Sequence, residues 1–466
     1  MSERVASVGL RVARAFRACE AVLATGSWQL ATRWLLAAFV IAVPLLGQPA
    51  VLPERARPAA VNAMLKDRLD NLLPALMRET GIDLWVVINR EYAEDPVYLT
   101  LVPEPVFAAR RTTMLVFFDR GAEKGVERLT VSRYPARGFY EAAWEGGDLD
   151  AQWKRLAEVI RERDPKKIGI NVSRTWAFGD GLTHGMHERL MEVLDPALRS
   201  RVVSAEDLAV RWLEQRTPME LETYPHIVAL ARSVIAEAFS SKVITPGVTT
   251  TDDVAWFIRQ RYADLGLPIW FMPYVNAQRP GLACADQPFC GTDGVIRRGD
   301  VLHTDVGITY LRLNTDTQEM GYVLRLGETD VPEGLKRALA TGNRWQDLLT
   351  GAFAAGRSGN EVLAVAQSAV KKENIRASIY THPLGFFGHA PGPTIGMWDN
   401  QGATKIYGDW KIRPNTAYAI EGNVKVPVAE WNGQLVQIKL EQSAVFDGKS
   451  VVYLAGRQTE FHVVGR

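Results

Sequence analysis

Six side chains in the second half of the chain have the types and spacings that chemistry needs. A Gly299-Asp300 turn opens a strand pattern that carries Asp305, and Asp316 follows eleven residues later. His382 and His389 stand seven apart in a glycine-broken stretch, His382-Pro383-Leu384-Gly385-Phe386-Phe387-Gly388-His389. Glu421 ends the apolar run Tyr418-Ala419-Ile420, and Glu441 closes Val436-Gln437-Ile438-Lys439-Leu440. A hairpin turning on Tyr310-Leu311 would set Asp305 directly opposite Asp316, with Cβ atoms about 4.5–5.5 Å apart. Two carboxylates that close repel unless one is protonated or a cation lies between them. Taken singly, each group has a plainer use: an aspartate caps a turn, a histidine sits satisfied in a core, a glutamate lines a strand edge.

Taken together, the order Asp, Asp, His, Glu, Glu resembles the pita-bread metallopeptidases: methionine aminopeptidase, aminopeptidase P and prolidase. The likeness spans roughly residues 220–466. It rests on the Gly-Asp turn with Asp305 before a glycine, Asp316 eleven on, His382-x-x-Gly-x-x-x-His389, Glu421 after an apolar pair, and Lys439-Leu440-Glu441. Charge arithmetic agrees with it. Four carboxylates contribute −4 and two divalent cations +4, whereas four buried carboxylates without cations would be strongly unfavourable. Oxygen-rich ligation with one imidazole suits manganese, zinc, cobalt or iron(II).

The resemblance implies a catalytic assignment. Asp316 and Glu441 would bridge two divalent ions, Asp305 would hold one, and His382 and Glu421 the other. A bridging water of lowered pKa would attack a polarised carbonyl, Glu421 would take its proton, and His389 would donate to the substrate carbonyl. These peptidases also carry a histidine upstream of the first aspartate. Here that window reads Asp286-Gln287-Pro288-Phe289. His303, two before Asp305 and so on the same strand face, is the candidate substitute; bonding to a neighbouring strand is the plainer reading. Trp270, in Trp270-Phe271-Met272-Pro273-Tyr274, and Trp398 are candidate walls of a substrate pocket, or else core packing. The implied substrate is a short Xaa-Pro peptide, cleaved by an aminopeptidase or dipeptidase, and the implied assembly is a homo-oligomer. Two other outcomes remain open: another hydrolase or lyase reaction on the same metal scaffold, and a non-catalytic binding protein.

The elements that must position these groups follow from periodicity. Residues 61–80 carry apolar side chains at helical spacing, and strand-like runs lie at 84–88, 114–118, 129–131 and 168–170. With amphipathic stretches at 151–163 and 185–194, they predict a smaller α/β domain over 55–215, which resembles the N-terminal domain of aminopeptidase P and prolidase. Arg216-Thr217-Pro218 marks a boundary. A long helix from about 219, a helix beginning at Thr251-Asp252-Asp253, strands over 300–325, two helices within 332–373 and further strands predict an α+β domain over 220–466.

Composition bounds the rest. The 466 residues carry 54 Lys+Arg and 53 Asp+Glu, a net +1 that gives no basic surplus for nucleic acid. Hydrophobic residues are 47% and charged residues 23%, a globular balance. Residues 1–50 read as a targeting segment: arginines lead into an uncharged run from Trp34 to Leu46, shorter than the roughly 20 residues a spanning helix needs. Export to the periplasm or outside is expected, with membrane attachment only if that segment is retained. Of three cysteines, Cys284 and Cys290 sit close enough in sequence to close a small disulfide loop or to remain as thiols.

Overall fold

Residues 57–80 form a helix with a change of pitch, and proline explains it. Helix α1 (Arg57–Asp67) passes through a π-turn at Arg68–Leu72 into helix α2 (Leu73–Thr80). Pro74 has no N–H for the Asp70 carbonyl, and the chain widens one turn before it. Gly81, at φ 67°, ends the run in the left-handed conformation. The structure, a computed structural model, describes residues 49–136, 138–282 and 293–465. The expected targeting segment through Gln48, the Cys284–Cys290 loop and the Asp286–Phe289 window lie outside the described residues. Among the described residues no helix is long and apolar enough to cross a membrane.

The first sheet has six strands: β1 (Leu84–Arg90), β2 (Thr112–Asp119), β3 (Val126–Val131), β4 (Glu141–Ala142), β5 (Ile168–Ile170) and β6 (Val202–Ser204), in the order β4-β3-β2-β1-β5-β6. Strand β1 runs antiparallel to β2 and parallel to β5. Its run Leu-Trp-Val-Val-Ile is buried on both faces because helices cover both. Trp85 and Val87 join the core under α1, α2 and helix α5 (Glu206–Glu214). Leu84, Val86 and Ile88 join the core under helices α3 (Leu149–Arg163) and α4 (His184–Val193). This is the smaller α/β domain.

The predicted boundary is a buried helix cap. Thr217 caps helix α6 (Pro218–Ala238) in a capping box with Glu220, and Pro218 sits where a missing N–H costs nothing. Glu220 is buried between Arg68 of the first domain, at 2.8 Å, and Arg216. Helix α7 (Thr251–Asp264) is capped by Thr250 with Asp253, one residue earlier than its sequence suggests.

The second sheet has eight strands: β7 (Tyr274–Gln278), β8 (Val301–Val306), β11 (Thr317–Val323), β12 (Ala377–Leu384), β13 (Thr416–Val428), β14 (Gln434–Phe446), β15 (Val451–Tyr453) and β16 (His462–Val464). Its main path is β12-β13-β14-β11-β8-β7, with β15 on β14 and β16 on β11. A separate two-stranded ribbon, β9 (Thr309–Tyr310) and β10 (Leu313–Asn314), lies between β8 and β11. Helices α6 and α7 cover the back of β7 and β8 through Val275, Ala277, Leu302 and Val306. Helices α8 (Glu333–Thr350) and α9 (Gly359–Lys372) cover β13 and β14 through Tyr418, Ile420, Ile438 and Leu440. Alternation leaves Asp305, Glu421 and Glu441 on the opposite face. Ala50–Arg466 form one compact unit holding both sheets.

The hairpin register differs from the expected one. The turn falls on Leu311-Arg312, both at positive φ (50° and 67°), and Tyr310 pairs with Leu313. Two left-handed residues match the twist of the flanking strands. Arg312 is also held from the first domain, by Glu104 at 2.9 Å and the Val102 carbonyl at 2.7 Å. Asp305 therefore pairs with Gln318, and Asp316 lies diagonally from it on the same face.

The buried triad joining the domains has a measurable consequence. Burial lowers the Arg68 pKa to about 10 against the pull of Glu220. Glu220→Leu leaves two buried guanidinium groups without their carboxylate and also removes the side-chain half of the capping box that accepts from the Thr217 N–H. It should cost about 3–5 kcal/mol, read as an earlier urea midpoint than that of the wild-type chain.

Candidate metal centre

The strand registers set the site. Tyr274, Asp305, Gln318, Glu441, Glu421 and Tyr380 form one row across β7, β8, β11, β14, β13 and β12. Two residues along lies the second row. Ser443 pairs with Ala419, and Ala419 pairs with His382. Asp316 joins this row through Ser443, whose hydroxyl donates to the Asp316 carbonyl at 3.1 Å. Neighbouring rows on one face are about 7 Å apart, so five scattered residues meet.

Their ligating atoms fall into overlapping groups, each within 4.8 Å: Asp305, Asp316 and Glu441; His382, Glu421 and Glu441; Asp316, His382 and His389. Glu441, Asp316 and His382 each belong to two groups, while Asp305, Glu421 and His389 belong to one each. His382 Nε2 lies 3.7 Å from Asp316 Oδ2 and 3.8 Å from Glu421 Oε2. Its Nδ1 is 3.0 Å from the Pro383 carbonyl and donates there, which leaves the Nε2 lone pair facing the carboxylates.

The electrostatics are those of crowded, dehydrated acids. Burial raises the Asp305 pKa to about 7. Burial, followed by mutual repulsion, pushes Asp316, Glu421 and Glu441 well above the ordinary carboxylate range. Burial lowers His382 to about 3, so its imidazole is neutral. Asp305 Oδ1, Glu441 Oε1 and His382 Nε2 are buried with no hydrogen-bond partner. Two carboxylate oxygens and an imidazole lone pair in one dry space suit divalent cations, so the residues fit the metals that the sequence implies.

The surroundings sort the other candidates. His389 is exposed at the mouth of the centre, its ring 4.7 Å from His382 and 5.2 Å from Trp270. Trp270 donates from Nε1 to the Thr315 carbonyl at 2.8 Å. A Cβ at Gly307 or Gly388 would stand 2.0 or 2.2 Å from its ring, so both positions need glycine. Trp398 is 70% exposed and so is no part of the packed wall. The loop bearing His389 is fixed from the first domain: Phe386 lies 4.7 Å from both Arg68 and Arg216, and Phe387 lies 4.4 Å from Phe178.

His303 shares the ligand face, but its geometry is not that of a substrate contact. It is buried, with Nε2 2.8 Å from Gln318 Oε1 and Nδ1 3.2 Å from Asn276 Oδ1. Both nitrogens are committed inside the protein, the plainer of the two sequence readings. Sequence reasoning missed Gln318 and Tyr380. Strand alternation was the available signal, since Gln318 lies two after Asp316.

Residues 222–446 match the family model "Metallopeptidase family M24". The fold is similar to an X-Pro aminopeptidase from Thermotoga maritima (TM-score 0.59, 18% identity, covering 84% of this chain and 100% of that one). It is also similar to an Xaa-Pro dipeptidase from Bacillus anthracis (0.56, 15%, 86% and 99%) and to the dipeptidase PepE from Mycobacterium ulcerans (0.56, 16%, 86% and 98%). At these identities the likeness establishes the fold. No curated protein matches by sequence at a significant level.

The pKa shifts give a signed prediction for metal-free protein. An acid whose folded pKa is raised loses its stabilising contribution as pH rises through that value. The depressed imidazole of His382 acts oppositely, but only between about 3 and its ordinary value near 6.5. From pH 6.5 to 8.5 the raised carboxylates of the centre, together with Glu214, which burial raises to about 7, therefore set the slope. The melting temperature in chelator should fall across that window, and added Mn²⁺ should raise it more at pH 8 than at pH 6.5. A flat chelated profile would contradict the crowding.

Proposed function

We propose that this metallohydrolase, whose residues 222–446 belong to metallopeptidase family M24, is a dinuclear-metal Xaa-Pro aminopeptidase or dipeptidase acting on short peptides. The observation that carries the reading is the overlap of two three-residue ligand groups on Glu441. Sharing one carboxylate between two groups suits a pair of ions. Asp305 would hold one ion, His382 and Glu421 the other, and Asp316 and Glu441 both. When bound, such ions, manganese among the candidates, lower the pKa of a water held between them and polarise a carbonyl.

The chain's own residues supply the rest. Glu421, at the edge of the centre with its side chain 19% exposed, accepts the proton of the attacking water. His389, at the mouth, donates to the scissile carbonyl oxygen as charge builds there. Trp270 offers an aromatic wall beside His389, suited to a proline ring or an apolar side chain. The printed activities of similar structures, X-Pro aminopeptidase and Xaa-Pro dipeptidase, support this substrate class. The reading extends to export directed by the N-terminal segment, checked by sequencing the mature N-terminus, and to a homo-oligomer, checked by light scattering.

One observation favours a second reading. The Asp286–Phe289 window has no histidine, and His303 is committed internally, so His389 is the sole imidazole at the mouth among the described residues. A different hydrolytic or lyase reaction on the same centre would fit that reduced set.

Metal analysis and peptide assays separate the two. Two divalent ions per chain and chelator-sensitive cleavage of Ala-Pro or Ala-Pro-Ala are expected. Glu421→Gln should lower kcat about 10²–10⁴-fold, and His389→Ala about 10²–10³-fold. Two bound ions with no cleavage across an Xaa-Pro library would favour the second reading.

A further inference from the structure

The two halves of the large sheet meet between β11 and β14, where the register pair is Gln318 with Glu441. Asp305 and Asp316 come from one side of this seam; His382, Glu421 and Glu441 come from the other. Gln318 therefore stands inside the ligand row, between Asp305 and Glu441, yet it carries no charge.

Its hydrogen bonds are specific. The Gln318 amide nitrogen donates to Glu421 Oε1 at 2.7 Å and to Glu441 Oε2 at 2.9 Å, using both N–H groups. The oxygens left over are Glu421 Oε2, which faces His382 Nε2 at 3.8 Å, and Glu441 Oε1, which is buried without a partner. Glu421 and Glu441 are directly opposed across β13 and β14, where like charges repel. A shared amide donor holds both in place and turns one oxygen of each inward.

Proton counting extends the chain. With both amide hydrogens spent on carboxylates, Gln318 Oε1 must accept, and His303 Nε2 at 2.8 Å must donate. The other ring nitrogen, Nδ1, lies 3.2 Å from Asn276 Oδ1. The reverse polarity would aim the Gln318 carbonyl oxygen at two carboxylates.

We propose that Gln318 is a positioning residue of the metal centre: its amide fixes Glu421 and Glu441 with one oxygen each toward the ions, and His303 fixes Gln318 in that orientation. The inference rests on the dinuclear metallopeptidase reading. It gives His303 a role through Gln318, without contact with substrate. Partners that orient ligands typically contribute 10–100-fold to metal affinity.

The test compares Gln318→Met, His303→Phe and the double variant with wild type. Each is stripped with chelator, melted, and titrated calorimetrically with Mn²⁺. Gln318→Met should bind Mn²⁺ 10–100-fold more weakly while retaining a cooperative melt. Excess Mn²⁺ should restore most of kcat for Ala-Pro-Ala, with KM unchanged. His303→Phe should weaken binding in the same direction, and the double variant should be no worse than Gln318→Met. Gln318→Ala serves the same comparison if the methionine variant does not fold. Equal Mn²⁺ affinity in Gln318→Met and wild type, or multiplying effects in the double variant, would overturn the proposal. If wild type binds two ions without cleaving peptides while Gln318→Met binds them weakly, the positioning role stands and the peptidase reading falls. If wild type takes up no divalent ion, both fall.

Discussion

Four carboxylates share one dehydrated face of a sheet, and the rest of the fold is arranged around that repulsion. Uncompensated charge is costly at low dielectric, so the acids hold their protons far above the usual range. Nothing in packing requires Glu421 and Glu441 to oppose each other. Their apolar neighbours Ile420 and Leu440 already seal the helix-facing side. The crowding becomes intelligible as a cradle suited to positive charge, lined by the unpartnered atoms of Asp305, His382 and Glu441.

Holding repelling groups in register takes rigidity, and two devices supply it. One is the sheet itself, whose strands fix Cα positions row by row through an uninterrupted ladder of thirteen pairs between β13 and β14. The other comes from the first domain. Arg68 and Arg216 meet Glu220 and also lie against Phe386, so one buried cluster ties the π-turn after α1 to the loop that presents His389. Arg312 does the same for the β9–β10 turn by reaching Glu104. The smaller domain thus holds both loops flanking the centre, and a change in its packing would be felt at the ligands.

Much of this was legible in the sequence because local rules sufficed. Arg216-Thr217-Pro218 spells a boundary before a long helix, and the eleven-residue interval between Asp305 and Asp316 spells a hairpin with both acids on one face. The direct pairing of those acids was not legible. The turn shifted by one residue because Arg312 is anchored 208 positions away, a contact that no local pattern encodes. A one-residue shift of a hairpin centre moves the partner by two, and alternation kept Asp316 on the correct face. Trp398 lies exposed and not packed, since closeness in sequence to the histidine motif says nothing of which way a loop folds.

His303 shows how a correct placement can carry the wrong role. Alternation puts it on the ligand face two residues from Asp305, and the structure agrees. Face alone does not decide whether a side chain looks outward to substrate or along the sheet to a neighbour. That depends on what the next strand presents, and β11 presents Gln318, whose carbonyl oxygen needs a donor. An amide whose two hydrogens serve two carboxylates leaves its oxygen with a single demand, and the imidazole meets it. The uncharged residue at the seam between the two halves therefore dictates that Nε2 of a histidine one strand away must donate. A sequence reader sees only a glutamine between two ordinary strand residues.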